Sequence, residues 1–388
     1  MTPDQRKTSL LVVAAISCGW IGWSGSILLL PLSAAFPFLW SRAAGRASAA
    51  LISAGYFLAA SRGLPQGVAN FYQSDLWPGL LLWLVASSSF VLVHAALWTR
   101  HEGRRLGIRS VAAMILMAVP PFGIVGWAHP VTAAGVLFPG LGWAGLAAMA
   151  TGLTVMVTRY WPAAAVALAG CWLWSAAFWT PPEIERGWHG VDLYMGSKLG
   201  RDGSLAHHRD LVATVRQIEQ AKGDVVVLPE SALGLWTPTL ESRWQRELQS
   251  GRHAVIAGAA VVTEAGYDNV LVHISGSSAE VVYRERMPVP GSMWQPWRRL
   301  VGESVGAQAH FFDNPVAAIG GKKVAPLICY EQLIVWPILQ SMLHEPELIL
   351  AVGNGWWTTG TKIVAIQRMS VEAWARLFDK PFVMSFNT

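Results

Sequence analysis

The sequence predicts a polytopic α-helical membrane domain followed by a layered α/β domain with a mixed sheet. Three observations lead there. Charged residues make up only 14% of the 388, against about a quarter in a soluble protein. The charge is also uneven: residues 1–180 hold ten Lys/Arg and three Asp/Glu, whereas residues 181–388 hold nineteen and twenty-one. Finally, the apolar pattern changes from long runs to short β-rich ones beyond a Pro/Gly-containing link, "TPPEIERGWHG" (180–190). The domain boundaries are therefore read as 1–180 and 181–388.

Seven apolar runs fall in the first domain, at 9–24, 25–40, 47–61, 76–98, 111–128, 131–157 and 160–180. A spanning helix needs about 20 apolar residues, and the first three runs are shorter than that. Residues 1–25 also have the outline of a signal peptide, with Arg6 and Lys7 before an apolar core. The recurrence of such runs favours a retained anchor. With the N-terminus inside, the inner loops hold Arg6, Lys7, Arg42, Arg46, Arg100, Arg104, Arg105, Arg109 and Arg159, and the outer loops only Arg62. This is the positive-inside bias. Its firmest anchor is "TRHEGRRLGIR" (99–109). Seven crossings would place everything after about residue 181 on the outer, periplasmic side of the inner membrane.

The net charge of +5 arises from these short clusters, so direct nucleic-acid binding is not expected. Cys18 and Cys171 lie inside apolar runs, and no disulfide framework is implied.

In the second domain the candidate strands are 191–196, 224–230, 253–262, 269–275, 279–287, 323–330, 347–354 and 381–387. Helical stretches are expected at 204–223, 239–250, 331–344 and 361–378. Strands flanked by helices, with hairpin-like neighbours in the middle, argue a layered domain.

Layered α/β folds place their sites at strand ends, and chemistry-bearing residues stand there. "VVVLPESALGLW" ends a buried-looking strand with Glu230. A partly desolvated carboxylate is pushed towards the range useful to a general base; a plain loop glutamate is the alternative. "KVAPLICYEQLIVWP" (323–337) delivers Cys329 from a strand to an apparent helix. Helix N-termini favour the thiolate; an inert core cysteine is the alternative. His207 and His208 suggest a Cys–His pair, but their polar run reads more readily as a solvated helix face. "SMWQPWRRL" (292–300) suits a lipid interface and equally an ordinary structured loop. No phosphate-binding Gly loop and no metal-spaced Cys/His cluster is present, so neither a cofactor nor a metal is implied.

With "LPESAL", "YRERMPVPGSMW", "ICYE", "NGWW" and "QRMSVEAWARLFDKPFVMSFNT" in that order, residues from about 190 onward resemble the carbon–nitrogen hydrolase (nitrilase) superfamily. The membrane-like first half points to the branch of apolipoprotein N-acyltransferases and the plasmid conjugal-transfer proteins related to them. The resemblance implies an α-β-β-α sandwich carrying a Glu-Lys-Cys triad. It makes Glu230 the general base and Cys329 the nucleophile. Tyr330, Glu331, Asn354 and Trp356 become substrate-lining positions, and Arg368 and Glu372 fall on a closing helix.

The middle element departs from the family pattern. Anchored on Tyr283, Val289 and Pro290, the alignment puts Glu285 at the lysine position and Met293 at the second glutamate. Arg286 is the candidate substitute cation for oxyanion stabilisation, although an arginine does not exchange protons near neutral pH. Lys322 and Lys323 sit at the far end of the cysteine strand. The family also runs on beyond the position of Asn387–Thr388, which would leave a sheet edge uncovered here.

The resemblance implies a Cys-dependent acyltransferase or amidase acting through a thioester in conjugal transfer, with a membrane lipid as acyl donor and conjugation-machinery proteins as partners. The alternative is a non-catalytic membrane scaffold with a degenerate site.

Overall fold

A computed structural model describes residues 2–101, 103–196, 205–222, 225–249, 253–302, 304 and 306–388. Residues 204, 223, 224 and 250, the edges of three expected elements, lie outside that set. The chain forms two compact units. The first comprises Met1–Pro182, Leu333–Trp336 and Gly360–Asp379, and the second Glu183–Gln332, Pro337–Thr359 and Lys380–Thr388.

The first unit opens with α1 (Pro3–Gly22), started by a capping box in which Thr2 and Gln5 satisfy each other's amides. The apolar run at 25–40 is not one α-helix. Pro31 lacks an amide hydrogen, and the run forms a 3-10 helix, Ile27–Ala35, followed by α2 (Phe36–Ser41). α3 (Arg46–Ala60) lies so close to α1 that a Cβ on Gly19 would stand 2.2 Å from the carbonyl oxygen of Tyr56. A helix not anticipated from the sequence, α4 (Leu64–Tyr72), precedes α5 (Leu76–Leu97). α6 (Arg104–Ala118) begins within the basic segment and stops before Pro120. The run at 131–157 is broken near Gly140, which has φ +74°, into α7 (Ala134–Leu137) and α8 (Gly142–Met156). α9 (Trp161–Ala177) follows. Among the described residues, α5 is the one helix long and apolar enough to cross a membrane, with a mean hydropathy of 2.1.

The second unit contains β1 (Trp188–Gly190), α10 (Leu205–Lys222), β2 (Val225–Val227), α11 (Pro238–Leu248), β3 (Ala254–Val262), β4 (Tyr267–Ile274) and β5 (Ala279–Arg284). It continues with β6 (Ala317–Ile319), β7 (Lys322–Ile328), α12 (Val335–Met342) from Pro337 onward, β8 (Leu348–Asn354) and β9 (Phe382–Asn387). The first sheet runs β1-β2-β3-β4-β5, parallel up to β3 and antiparallel after it. The second runs β6-β7-β8-β9, with only the β6–β7 pair antiparallel.

Side chains alternate faces along a strand, which explains the two cores. Ile256 of β3 joins Val225, Val227 and Leu271 against Val324, Ile328, Leu350 and Val352 of the other sheet. Val255, Ala257 and Ala259 of the same strand face Leu211, Val215, Leu240 and Trp244 of α10 and α11. Strands buried on both faces read as continuous apolar runs, as β7 and β8 do.

Residues 191–196 are not the strand expected there. Leu193 makes an isolated bridge to Asn387, and the paired segment lies earlier, at β1. β6 was not expected at all; at three residues it is too short for a periodic signal. The final helix, α13 (Ile363–Phe378), was placed with the sandwich by the sequence reading but belongs to the first unit. There its Arg376 lies 3.6 Å above the Trp179 ring and its carbonyl accepts from the Gly140 amide.

Candidate active site

Glu230 is delivered by a continuation of β2 alongside β3. The Leu228 amide donates to the Ile256 carbonyl at 2.8 Å, and the Gly258 amide to the Pro229 carbonyl at 3.1 Å. A side chain at 258 would collide with this segment: a Cβ there stands 2.4 Å from the Glu230 Cα. Gly258 therefore lets the carboxylate-bearing turn lie directly on the strand. The chain then turns sharply at Ser231, with φ +61°. Glu230 is 2% exposed.

Cys329, directly after β7, lies in the same conformational region, with φ +44°. Left-handed backbone at a non-glycine residue is costly and clusters at functional sites. The thiol hydrogen-bonds to the Glu230 carboxyl, and the Asn354 amide lies within hydrogen-bonding reach of both groups. The expected activation by a helix N-terminus is not what the site provides. Cys329 opens only a four-residue 3-10 helix, and it is 5% exposed. Burial, and then the neighbouring carboxyls of Glu230 and Glu285, hold the thiol well above its ordinary range. The resting sulfur is a neutral thiol.

Glu285 does reach the site from the end of β5. One nitrogen, Asn269 Nδ2, donates at 2.8 Å to Glu230 Oε1 and at 2.8 Å to Glu285 Oε2. Two carboxylates so close cannot both ionise cheaply. Burial, weakened by the Asn269 hydrogen bond, pushes Glu230 up to about 7. Burial, with the charges of Glu230 and Glu331, pushes Glu285 well above the carboxylate range. Glu285 Oε1 is fully buried and has no hydrogen-bond partner among the described residues.

Arg286 does not supply the missing cation. Its Nε donates to Tyr283 Oη at 2.9 Å, Nη1 to the Pro337 carbonyl at 2.9 Å, and Nη2 to the Pro326 carbonyl at 3.1 Å. It also lies 3.6 Å from Glu331 Oε1, both side chains wholly buried. The guanidinium is consumed in holding the ends of the two sheets. Arg284 turns the other way, to Asp268 at 3.1 Å.

Glu331 is likewise occupied by protein. It accepts from Tyr283 Oη and from the amides of Arg286, Met287 and Ile328. This makes it a positioning residue rather than the substrate contact expected from the sequence.

Comparison with known proteins is decisive at this point. The carbon–nitrogen hydrolase family model matches residues 58–376. The chain belongs to the carbon–nitrogen hydrolase family. Its two-sheet second unit is the nitrilase-like fold of that family. The chain is 63% identical over 390 residues to a probable conjugal transfer protein TraB of Sinorhizobium fredii, covering 100% of both. It is 58% identical over 398 residues to the conjugal transfer protein TraB of Agrobacterium fabrum, covering 100% of this chain and 94% of that one. Among solved structures, an amidase of the nitrilase superfamily from Nesterenkonia AN1 matches at 14% identity, with a TM-score of 0.37, over 52% of this chain and 78% of that one.

Of the remaining positions, Asn354 sits at the end of β8, its side-chain oxygen held by Asn387 Nδ2 at 2.8 Å. Trp356 is half-buried in the turn that follows, and Tyr330 is buried beside the thiol. The histidines are not a solvated face. His208 is buried, accepts from Trp244 Nε1 at 3.4 Å, and belongs to the helix side of the first sheet, away from the sulfur's core. His207 bonds the Ala232 carbonyl. Lys322, at the far end of β7, pairs with Glu185 at 2.7 Å. In "SMWQPWRRL", Trp294 packs edge-on against Phe311, while Trp297 and Leu300 are exposed.

The residue missed by sequence reasoning is Asn269. Its signal was a polar residue at the head of an apolar run; in the structure it is 3% exposed and needs a partner.

Proposed function

We propose that this carbon–nitrogen hydrolase acts in plasmid conjugal transfer as an inner-membrane, multi-pass enzyme that passes an acyl group through a thioester on Cys329. The observation that carries the reading is the thiol of Cys329 hydrogen-bonded to the Glu230 carboxyl at adjoining strand ends. The conjugal role is supported by the likeness to the two TraB proteins. The membrane role is supported by α5 and by the exposed apolar side chains Leu10, Leu84, Val85, Leu92, Val166 and Leu173 of the first unit, an exposure unusual for a soluble surface. On the positive-inside reading of the loops the second unit faces the periplasm, with membrane lipid as the acyl donor and conjugation-machinery proteins as partners.

In the reaction, ionised Glu230 takes the Cys329 proton as sulfur attacks the acyl carbonyl. Collapse of the tetrahedral intermediate breaks the bond to the leaving group, which receives that proton. The acyl group now sits on sulfur. An amine acceptor, or water for an amidase, attacks the thioester, gives its proton to Glu230, and releases the sulfur, which is reprotonated. The developing oxyanion lacks the family's lysine. Glu285, held neutral, has one buried carboxyl oxygen, Oε1, without a partner among the described residues, and a protonated carboxylic acid can donate a hydrogen bond to an oxyanion.

The same substitution favours a second reading. Glutamate at the lysine position and a thiol raised by burial suit a fold retained as a non-catalytic conjugation scaffold. Conjugation frequency with Cys329→Ala and Glu230→Gln, at equal membrane levels, separates the two. Loss in both, with an acyl adduct mapped by mass spectrometry to Cys329 of the wild type, supports the enzyme. Full transfer with both supports the scaffold.

A further inference from the structure

The first unit contains a cavity of about 970 Å³ that none of the active-site residues lines. Three arginines border it from three separate segments: Arg42 after α2, Arg104 at the start of α6, and Arg159 between α8 and α9. Among the described residues, none of the three forms an ion pair with a carboxylate, and no acidic residue lines the cavity. Arg42 Nε is shielded from solvent and has no hydrogen-bond partner among the described residues. Its guanidinium lies 5.0 Å from the Phe38 ring centre and 5.9 Å from that of Trp161. Arg159 lies over Tyr160, donating to its hydroxyl at 2.6 Å.

Three guanidinium groups around one cavity repel one another, and a buried donor without a partner is costly. The repulsion falls when an anion with several acceptor oxygens enters, and the planar guanidinium fork matches phosphate geometry. The walls add a second requirement. Leu106, Ile108, Val111 and Val157 are apolar, so the ligand carries an apolar portion beside its charge. The volume is that of a small-molecule site. The positive-inside pattern independently assigns all three arginines to one side, where headgroups would lie.

We propose that this cavity binds the phosphate headgroup of an anionic phospholipid, with Arg42, Arg104 and Arg159 clamping the phosphate and an acyl chain lying along Ile108 and Val111. The site is separate from the thiol, and its occupant is a resident lipid rather than the acyl donor.

The test uses the full chain purified in a neutral detergent and titrated separately with phosphatidylglycerol, phosphatidylcholine and inorganic phosphate, with occupancy read by native mass spectrometry. One phosphatidylglycerol should be retained per chain, and phosphatidylcholine more weakly. Arg104→Gln alone should weaken retention about tenfold or more, the loss of one charge-assisted contact. Arg42→Gln/Arg104→Gln/Arg159→Gln should abolish it. Arg6→Gln/Lys7→Gln, which removes the same kind of charge from α1 outside the cavity, should leave it unchanged. Helix content by circular dichroism confirms that each variant is folded; Arg104 is exposed, so its single variant serves if the triple variant is not. Equal retention by folded Arg104→Gln and wild type overturns the proposal. So does inorganic phosphate that occupies the wild type and is not displaced by phosphatidylglycerol.

Discussion

The carboxyls of Glu230 and Glu285 hang from a single donor, each 2.8 Å from Asn269 Nδ2. Where the family places a cation beside its general base, this chain places a second acid and an amide that bridges the two. The consequences are chemical and can be measured.

Glu285→Gln keeps a donor of the same shape, whereas Glu285→Ala removes it. If Glu285 serves the oxyanion as a neutral acid, the glutamine variant should retain most of the conjugation frequency. The alanine variant should fall by about a hundredfold or more, the usual effect of deleting one oxyanion donor. Equal transfer by both variants would show that the proton at 285 has no part in the chemistry.

Glu230 binds its proton more tightly in the folded chain, since its value rises from 4.5 to about 7. The stability this contributes is complete below 4.5 and is lost as pH rises through 7. Glu285 shifts in the same direction. Thermal unfolding midpoints should therefore drop on the alkaline side, and Glu230→Gln should flatten the profile. Acyl transfer should move oppositely, rising through about pH 7 as Glu230 ionises. A transfer profile that is unchanged in Glu230→Gln would remove the carboxylate from the base role.

Arg286→Met should act on stability. It leaves Glu331 buried without its counter-charge, a change that typically costs about 3–5 kcal/mol. Arg286→Met/Glu331→Gln should recover part of that loss in a thermal-shift measurement. A folded Arg286→Met protein at wild-type stability with abolished transfer would instead restore the arginine to the catalytic role that its hydrogen bonds deny it.

Gly258→Ala tests the seat of the base. The added methyl carbon would stand 2.4 Å from the Glu230 Cα, so the turn must lift off β3. Because a displacement of about 1 Å can cost a hundredfold in rate, transfer should fall steeply while the fold survives. Normal transfer would show that the turn adapts.

The parts of the site legible in the sequence were those fixed by one strand and the turn after it. Glu230 and Cys329 each follow an apolar run, and strand periodicity alone brings such residues to one end of a sheet. Glu285, singled out by its spacing from Tyr283, shares the Asn269 amide with Glu230. What could not be read was the direction taken by neighbouring charges. Arg284 and Arg286 flank Glu285 in sequence, yet one turns to Asp268 and the other to Glu331. Asp268 lies on the neighbouring hairpin strand and Glu331 forty-five residues from Arg286, and the run of charges itself does not say which arginine takes which. The thiol's protonation was misjudged for the same reason: a helix-start argument is local, whereas the carboxyls that raise Cys329 arrive from two other segments. In the apolar half, Pro31 and Gly140 divided runs whose composition alone suggested continuous helices.

Glu331 receives main-chain amides from Ile328 at the end of β7 and from Arg286 and Met287 just past β5. One carboxylate thereby staples the tips of both sheets, across more than forty residues of chain. Cys329, its near neighbour, is therefore seated at a point where both sheets are held together. During refolding, protection of that sulfur from an alkylating probe would mark the closing of the sandwich and not the appearance of any single strand.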